Sequence, residues 1–252
     1  MKPIPRVRVI DLETTGSSPP AHAVCEIGWQ DVVLQEDGLW AIGGEGGSAL
    51  VDPGRSIPPV TMAVHHIMDE DVKGAPFWQE IAPTILRPEG GALALAAHRA
   101  SFEQRFCTPK LSGGAKWICT WKCALRLWPD SPGFSNQVLR YWRMPEGLDR
   151  SKGLPVHRAF PDAYVTAHHL RDQLNAAGLE QLLAWSNEPG LLPRVPYGPD
   201  RGAYWRKLSD ETLRRFTSDR NEDVRFSARR EIERRDGTSL PREDEPKQGE
   251  LL

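Results

Sequence analysis

No apolar run in these 252 residues approaches the ~20 needed to cross a bilayer, so a membrane-spanning helix is not expected. Cysteine is scarce: Cys25, Cys107, Cys119 and Cys123 are irregularly spaced, with no Cys-x-x-Cys pair. That argues against a zinc knuckle, and the thiols read as reduced and mostly buried, with Cys119 to Cys123 on a helical stretch. A bias of charge is also missing, with 32 Lys+Arg against 34 Asp+Glu for a formal net charge of -2. The start, "MKPIPRVRV", lacks the long apolar core of a signal peptide, so the expected location is the cytoplasm, with no membrane partner. What is present, 39% hydrophobic and 26% charged residues, suits one medium domain plus something small, with a sizeable core.

Along the chain, three strands are expected first, at about 6–12, 24–34 and 48–52, separated by the turn-rich "TTGSSPPAH" and "EDGLWAIGGEGG". A helix near 77–87 precedes the apolar strand "GALALAAH". A helix from about 101, the short strand "KWICT" and two helices ending near Trp142 follow. The order predicts an α/β fold: a mixed sheet, three antiparallel strands and then parallel ones, flanked by helices. The segment from Pro155 reads as a helix entered at Pro161 and closed at Gly178. A catalytic domain over 1–177, a helix and linker over 178–193, a basic module over 194–235 and a disordered tail over 236–252 are the expected divisions. The module holds 12 Arg+Lys and 8 Asp+Glu, the tail two bases and five acids.

The stretch "RVRVIDLETTG" puts two carboxylates, Asp11 and Glu13, at the end of an apolar strand. Residues two apart share one face of a strand, so the pair stands side by side and repels unless something positive lies between. A lone Asp-x-Glu is most often a solvated strand end. Two further carboxylates occupy related places: Glu103 early in a helix that follows a buried strand, and Asp162 at a helix start, five residues after His157. Each alone reads as a surface or capping residue.

Taken in order, "VIDLETTG", "AHRASFE" and "HRAFPDAYVTA" resemble the three motifs of the DnaQ-like 3'-to-5' exonucleases, in the branch with a histidine in the third motif. The resemblance implies a ribonuclease H-like fold and two divalent cations, Mg2+ or Mn2+, on Asp11, Glu13, Glu103 and Asp162, with His157 as general base. It further implies substrate contacts from Leu12, Thr14, Thr15, Met62, His65, Arg99 and Phe102. The implied partner is a nucleic acid with a free 3' end, DNA first, releasing nucleoside 5'-monophosphates. RNA trimming and a catalytically weak nucleic-acid-binding protein stay open as rivals.

Two departures from the family pattern stand out. Glu103 occupies a place where the family has Asp, and its extra methylene moves the carboxylate by about an ångström or more, a shift Mg2+ tolerates poorly. Arg99 stands where the family has Asn, which favours a charge-assisted phosphate contact. The pairs His65-His66 and His168-His169 are not read as metal ligands: the first lies in a loop-like segment, and adjacent helical residues point ~100° apart. In the basic module, phosphate contact and a merely solvated helix face are equal expectations.

Overall fold

The computed structural model describes residues 4–237. These form two compact units that divide between Glu188 and Pro189. In the first, β1 (Arg6–Thr14), β2 (Val24–Leu34) and β3 (Trp40–Leu50) are followed by α1 (Pro59–His65), α2 (Trp78–Leu86) and β4 (Ala94–Ala97). Next come α3 (Glu103–Phe106), α4 (Pro109–Ser112), β5 (Trp117–Cys119), α5 (Thr120–Leu127), α6 (Asn136–Arg143) and the long α7 (Ala159–Asn187). The sheet order is β3-β2-β1-β4-β5, with β1 antiparallel to β2, β2 to β3, and β4 parallel to both β1 and β5. This is the expected mixed sheet.

Alternation along β1 divides its work between two faces. Val7 and Val9 join Ala163, Ala167 and Leu170 of α7 in the main core, so α7 lies across that face. Arg8 points the other way, where its guanidinium donates to the Ile85 carbonyl of α2 at 2.8 Å. A buried arginine in a strand demands a partner. Asp31, directly opposite Arg8 in register, supplies both carboxylate oxygens at 2.7 and 2.9 Å.

Four local expectations need correction. The third strand is Trp40–Leu50, not 48–52, because the glycine-rich "AIGGEGG" is held in the β2 ladder (Val32 opposite Ile42, Gln30 opposite Gly46, Trp29 opposite Gly47), with a bulge around Gly44 at φ 67°. The segment around His65 is a helix, α1, entered on Pro59 and closed by His66 in a left-handed conformation. The helix expected from about 101 is two short ones, broken where Cys107 leaves the helical region before Pro109. Cys119 ends β5 while Cys123 lies on α5, and all four thiols are free and buried. Gly178 does break the last helix, at φ 75° and ψ 164°. The chain resumes as the expected helix, to Asn187, and Leu182 and Leu183 bury in the main core, so residues up to Glu188 group with the first unit.

The second unit carries a 3-10 turn (Trp205–Lys207), α8 (Asp210–Phe216) and α9 (Glu222–Arg235) around its own core of Val195, Trp205, Leu208, Leu213, Val224 and Ala228. Ser209 and Asn221 cap the two helices through their side chains. Most of the tail lies outside the described residues. Among those described, no helix is long and apolar enough to cross a membrane.

Candidate active site

The face of β1 that carries Val7 and Val9 into the core continues, two residues at a time, to Asp11 and Glu13. Helix α7 meets the sheet at that same end. Its close approach depends on Gly28, opposite Asp11 in the β1–β2 ladder, where a side-chain carbon would fall 2.1 Å from the Ala159 carbonyl carbon and 2.2 Å from the Phe160 nitrogen. Any larger residue would push the helix start off the strand. With glycine there, the first turn of α7 delivers Asp162 to the two strand carboxylates. Ligand oxygens of Asp11, Glu13 and Asp162 all lie within 4.8 Å of one another, the sole such His/Cys/Asp/Glu group among the described residues.

Asp162 is fixed from three sides. Its Oδ2 accepts the His157 backbone N–H at 2.7 Å, and its Oδ1 accepts Gln137 Nε2 at 2.8 Å and Asn136 Nδ2 at 3.4 Å. The first bond ties the His157 loop to the carboxylates, with His157 itself in a left-handed conformation (φ 59°) and its imidazole exposed. The residue after it, Arg158, makes a two-point ion pair with buried Glu26 at 2.9 and 2.8 Å, and Glu26 also accepts the Ala159 N–H at 3.0 Å. Since Glu26 stands opposite Glu13 in register, one strand pair anchors both the carboxylates and the loop bearing the histidine.

Burial and mutual repulsion dominate the electrostatics. Desolvation, then Glu13, Asp162, Glu103 and Glu26, holds the Asp11 carboxyl well above the usual range. Glu13 is pushed up to about 8 by burial and by Asp162 and Glu26, with Arg158 opposing. Glu103 also rises to about 8, chiefly through burial, and its Oε2 has no hydrogen-bond partner. Buried acceptors without a donor are costly, and a cation among them removes both the repulsion and the missing contact. The donor set fits a hard divalent cation, because every ligand atom is carboxylate oxygen.

Residues 9–170 match the family model described as exonuclease (RNase_T). The chain belongs to the exonuclease family. Exodeoxyribonuclease 10 of Escherichia coli strain K12 is 35% identical over 198 residues, which is 78% of this chain and 82% of that protein. Exonuclease X in complex with 5' overhanging duplex DNA matches with a TM-score of 0.59 at 33% identity, over 72% of this chain and 99% of that one. E. coli exonuclease I with a dA16 oligonucleotide gives 0.52 at 14% identity, over 72% of this chain and 42% of that one, a likeness of fold alone. The fold is that of the ribonuclease H-like exonucleases, and the chemistry is that of a hydrolytic nuclease.

Among the exonuclease residues expected from sequence, Glu103 stands apart. It opens α3 and is buried, and it acts electrostatically on Asp11, yet it lies outside the group of three whose oxygens approach within 4.8 Å. Arg99, at φ 65°, is exposed and stacks on Trp121 with its guanidinium carbon 4.2 Å from the ring centre. Thr14 donates its hydroxyl to the Gly16 carbonyl at 2.7 Å, and Thr15 Oγ1 accepts the Ala23 N–H at 3.0 Å. Leu12 and His65 are buried, and Met62 is partly buried against the small cluster of Cys25, Ile57, Ile67 and Val72. His65 Nδ1 accepts the Ile67 N–H at 3.0 Å and its other nitrogen faces Cys25 Sγ at 3.8 Å, a structural set of contacts. Phe102 precedes α3, with its ring 5.5 Å from Phe106. His168 and His169 are core residues, pushed down to about 4 and 3 mainly by burial.

Sequence reading missed Glu26, Gly28, Asn136, Gln137 and Arg158. A signal existed for the first two: a lone carboxylate and a glycine interrupt the otherwise apolar start of "VCEIGW".

Glu103 can be tested directly. If it is a working ligand, Glu103→Gln lowers turnover nearly as far as loss of Asp11 does, and Mn2+ rescues more than Mg2+ because it accepts poorer geometry. Overlaid metal-titration curves for Glu103→Gln and the unmodified chain would remove it from the site.

Proposed function

We propose that the chain removes nucleoside 5'-monophosphates one at a time from the 3' end of DNA, with Asp11, Glu13, Asp162 and Glu103 holding two divalent cations, Mg2+ or Mn2+. The observation that carries this reading is the convergence of three carboxylates, partly or fully buried, with a histidine loop bonded to one of them. When bound, such cations supply positive charge to the scissile phosphate and lower the pKa of water.

The chain's own residues do the rest. Water attacks phosphorus as an imidazole nitrogen of His157 takes its proton. The new P–O bond forms while the bond to the leaving 3'-oxygen breaks, and that oxygen departs with a proton from solvent. Asp162 holds the His157 loop through the backbone N–H, and Glu26 holds it from the other side through Arg158. Arg99, propped on Trp121, offers a guanidinium to a phosphate. The substrate of the 35% identical relative is deoxyribonucleic acid by its name, which favours DNA over RNA here.

The deciding experiment incubates the protein with 5'-labelled single-stranded and duplex DNA and with matching RNA, each with Mg2+, Mn2+ or chelator. A ladder shortening from the 3' end of DNA, absent with chelator, is expected. Faster shortening of RNA would transfer the assignment to RNA trimming, and no shortening with either metal would leave only binding.

A further inference from the structure

Some of the second unit's arginines are paired within the unit and others are not, a distinction the sequence alone leaves open. On α9, Arg234 and Arg235 both pair with Glu231, at 2.7 and 2.9 Å, Arg235 also reaches Asp210, and Arg230 lies 3.3 Å from Glu233. Arg225 is spent on the carbonyls of Asp219 and Arg220. Arg230, Arg234 and Arg235 are thus neutralised from within, while the exposed Arg214, Arg215, Arg220 and Arg229 have no carboxylate partner among the described residues but are not gathered on one ring.

The segment 194–207 is different. It holds Arg194, Arg201, Arg206 and Lys207 against a single acid, Asp200, so it carries +3 of the +4 excess found over 194–235. Its backbone doubles back on itself. Val195 N–H donates to Ala203 O at 3.0 Å, Gly202 N–H donates to Val195 O at 2.8 Å, and Arg194 bridges Tyr204. The return is possible because Gly198 and Gly202 adopt φ of 80° and 84°.

This turn brings two guanidiniums to one ring. Arg194 lies 4.2 Å and Arg206 4.9 Å from the centre of Tyr204, and Arg194 also donates to the Tyr204 hydroxyl at 2.7 Å. All four basic side chains are exposed, and among the described residues none has a carboxylate partner. Two like charges gathered at one ring repel, and a cation–π contact offsets only about 0.5–1 kcal/mol at an exposed site. Contact with the ring uses at most one of the five guanidinium N–H groups of Arg194, which leaves the others for phosphate oxygens.

We propose that this turn, Arg194, Arg201, Arg206 and Lys207 arranged around Tyr204, is a second nucleic-acid contact that grips backbone phosphates outside the catalytic unit. The proposal rests on the nuclease reading for its choice of polyanion, since nucleic acid is what the first unit cuts. Its ligand atoms are phosphate oxygens, so it is indifferent to base sequence.

The test uses the full chain in chelator, where cleavage does not intervene. Fluorescence anisotropy with a labelled DNA bearing a long single-stranded overhang gives the affinity between 50 and 200 mM salt. Replacing both Arg194 and Arg206 by Gln should make the slope of log K against log salt shallower by about 1.4 to 1.8, at roughly 0.7–0.9 per phosphate released. Arg201→Gln with Lys207→Gln, at side chains with no hydrogen bond to another described residue, should do the same and decides the matter if the first pair unfolds. Arg230→Gln, at an arginine paired with Glu233, should leave the slope unchanged. Turnover of a p-nitrophenyl ester of thymidine monophosphate, which offers the catalytic unit a single phosphate, should match the unmodified chain. Slopes unchanged in both pairs, or lowered equally by Arg230→Gln, overturn the proposal, whereas absence of cleavage with intact slopes overturns only the nuclease reading.

Discussion

Replacing Asp11 by Asn abolishes metal-dependent cleavage and, at pH 8 in chelator, raises the melting temperature above that of the unmodified chain. Both effects follow from one crowded set of carboxylates. Asp11 is held well above its ordinary range first by burial and then by Glu13, Asp162 and Glu103, while Glu13 and Glu103 rise from 4.5 to about 8. The shifts are upward, so between about pH 4.5 and 8 the folded protein binds more protons than the unfolded chain, and metal-free stability falls as pH rises through that window. Above it Glu13 and Glu103 are charged in both states and their share of the loss is complete. Asn at position 11 keeps the shape and removes one of the repelling charges, so the variant escapes part of that loss.

A divalent cation acts in the opposite sense. It favours the ionised carboxylates, and at a hundredfold excess over its Kd it stabilises the folded state by about 2.7 kcal/mol. For a chain of this size each kcal/mol corresponds to roughly 2–4 °C. The unmodified chain should therefore gain several degrees with Mg2+ or Mn2+ at pH 8 and much less at pH 5, where protons compete. Asp11→Asn should show almost no gain at either pH. Melting curves in chelator and in metal, paired with turnover, check both halves. A variant that keeps its metal-dependent gain and its turnover would falsify the carboxylate site.

How much of this was legible beforehand depends on the range over which each residue acts. The β1 carboxylates, His157 and Asp162 were legible together, through the resemblance of their three motifs to the exonuclease family, and the apolar runs of β1, β2 and β4 through strand periodicity. The mixed sheet followed from element order alone. What escaped reading acts across the fold. Glycines in "AIGGEGG" look like a turn because their side chains cannot report burial, whereas the ladder with β2 takes up the stretch on both sides of a bulge at Gly44. Gly28 looks like a weak spot in a strand until Ala159 is seen resting on it. Glu26 and Arg158 are 132 positions apart, and no periodicity links them. Gln137 and Asn136 read as ordinary helix-start residues, although their amides hold Asp162. Glu103 was legible as a carboxylate near the site but not as one set apart from the three that converge, since the difference lies in where a four-residue helix begins.

His157→Asn should lower the cleavage rate by about 10²- to 10⁴-fold, the usual scale for losing a general base. Asn is the apt replacement for a structural reason. The residue sits at φ 59°, a left-handed conformation that Asn tolerates better than Ala does, so the loop keeps its path. Its backbone N–H then still donates to Asp162 Oδ2, and the ion pair of Arg158 with Glu26 still anchors the next residue. The carboxylates are thus left in place while the proton acceptor is removed. The metal-dependent gain in melting temperature should be retained in full, and added imidazole should restore part of the rate by entering the space left open on an exposed side chain. Loss of the metal-dependent gain would recast His157 as a ligand. A rate within a fewfold of the unmodified chain would instead take the histidine out of the chemistry, leaving proton removal to solvent. Asp11→Asn and His157→Asn therefore separate along two axes: the first removes metal response and turnover together, the second removes turnover alone, and only a site with distinct ligand and base yields that pair of results.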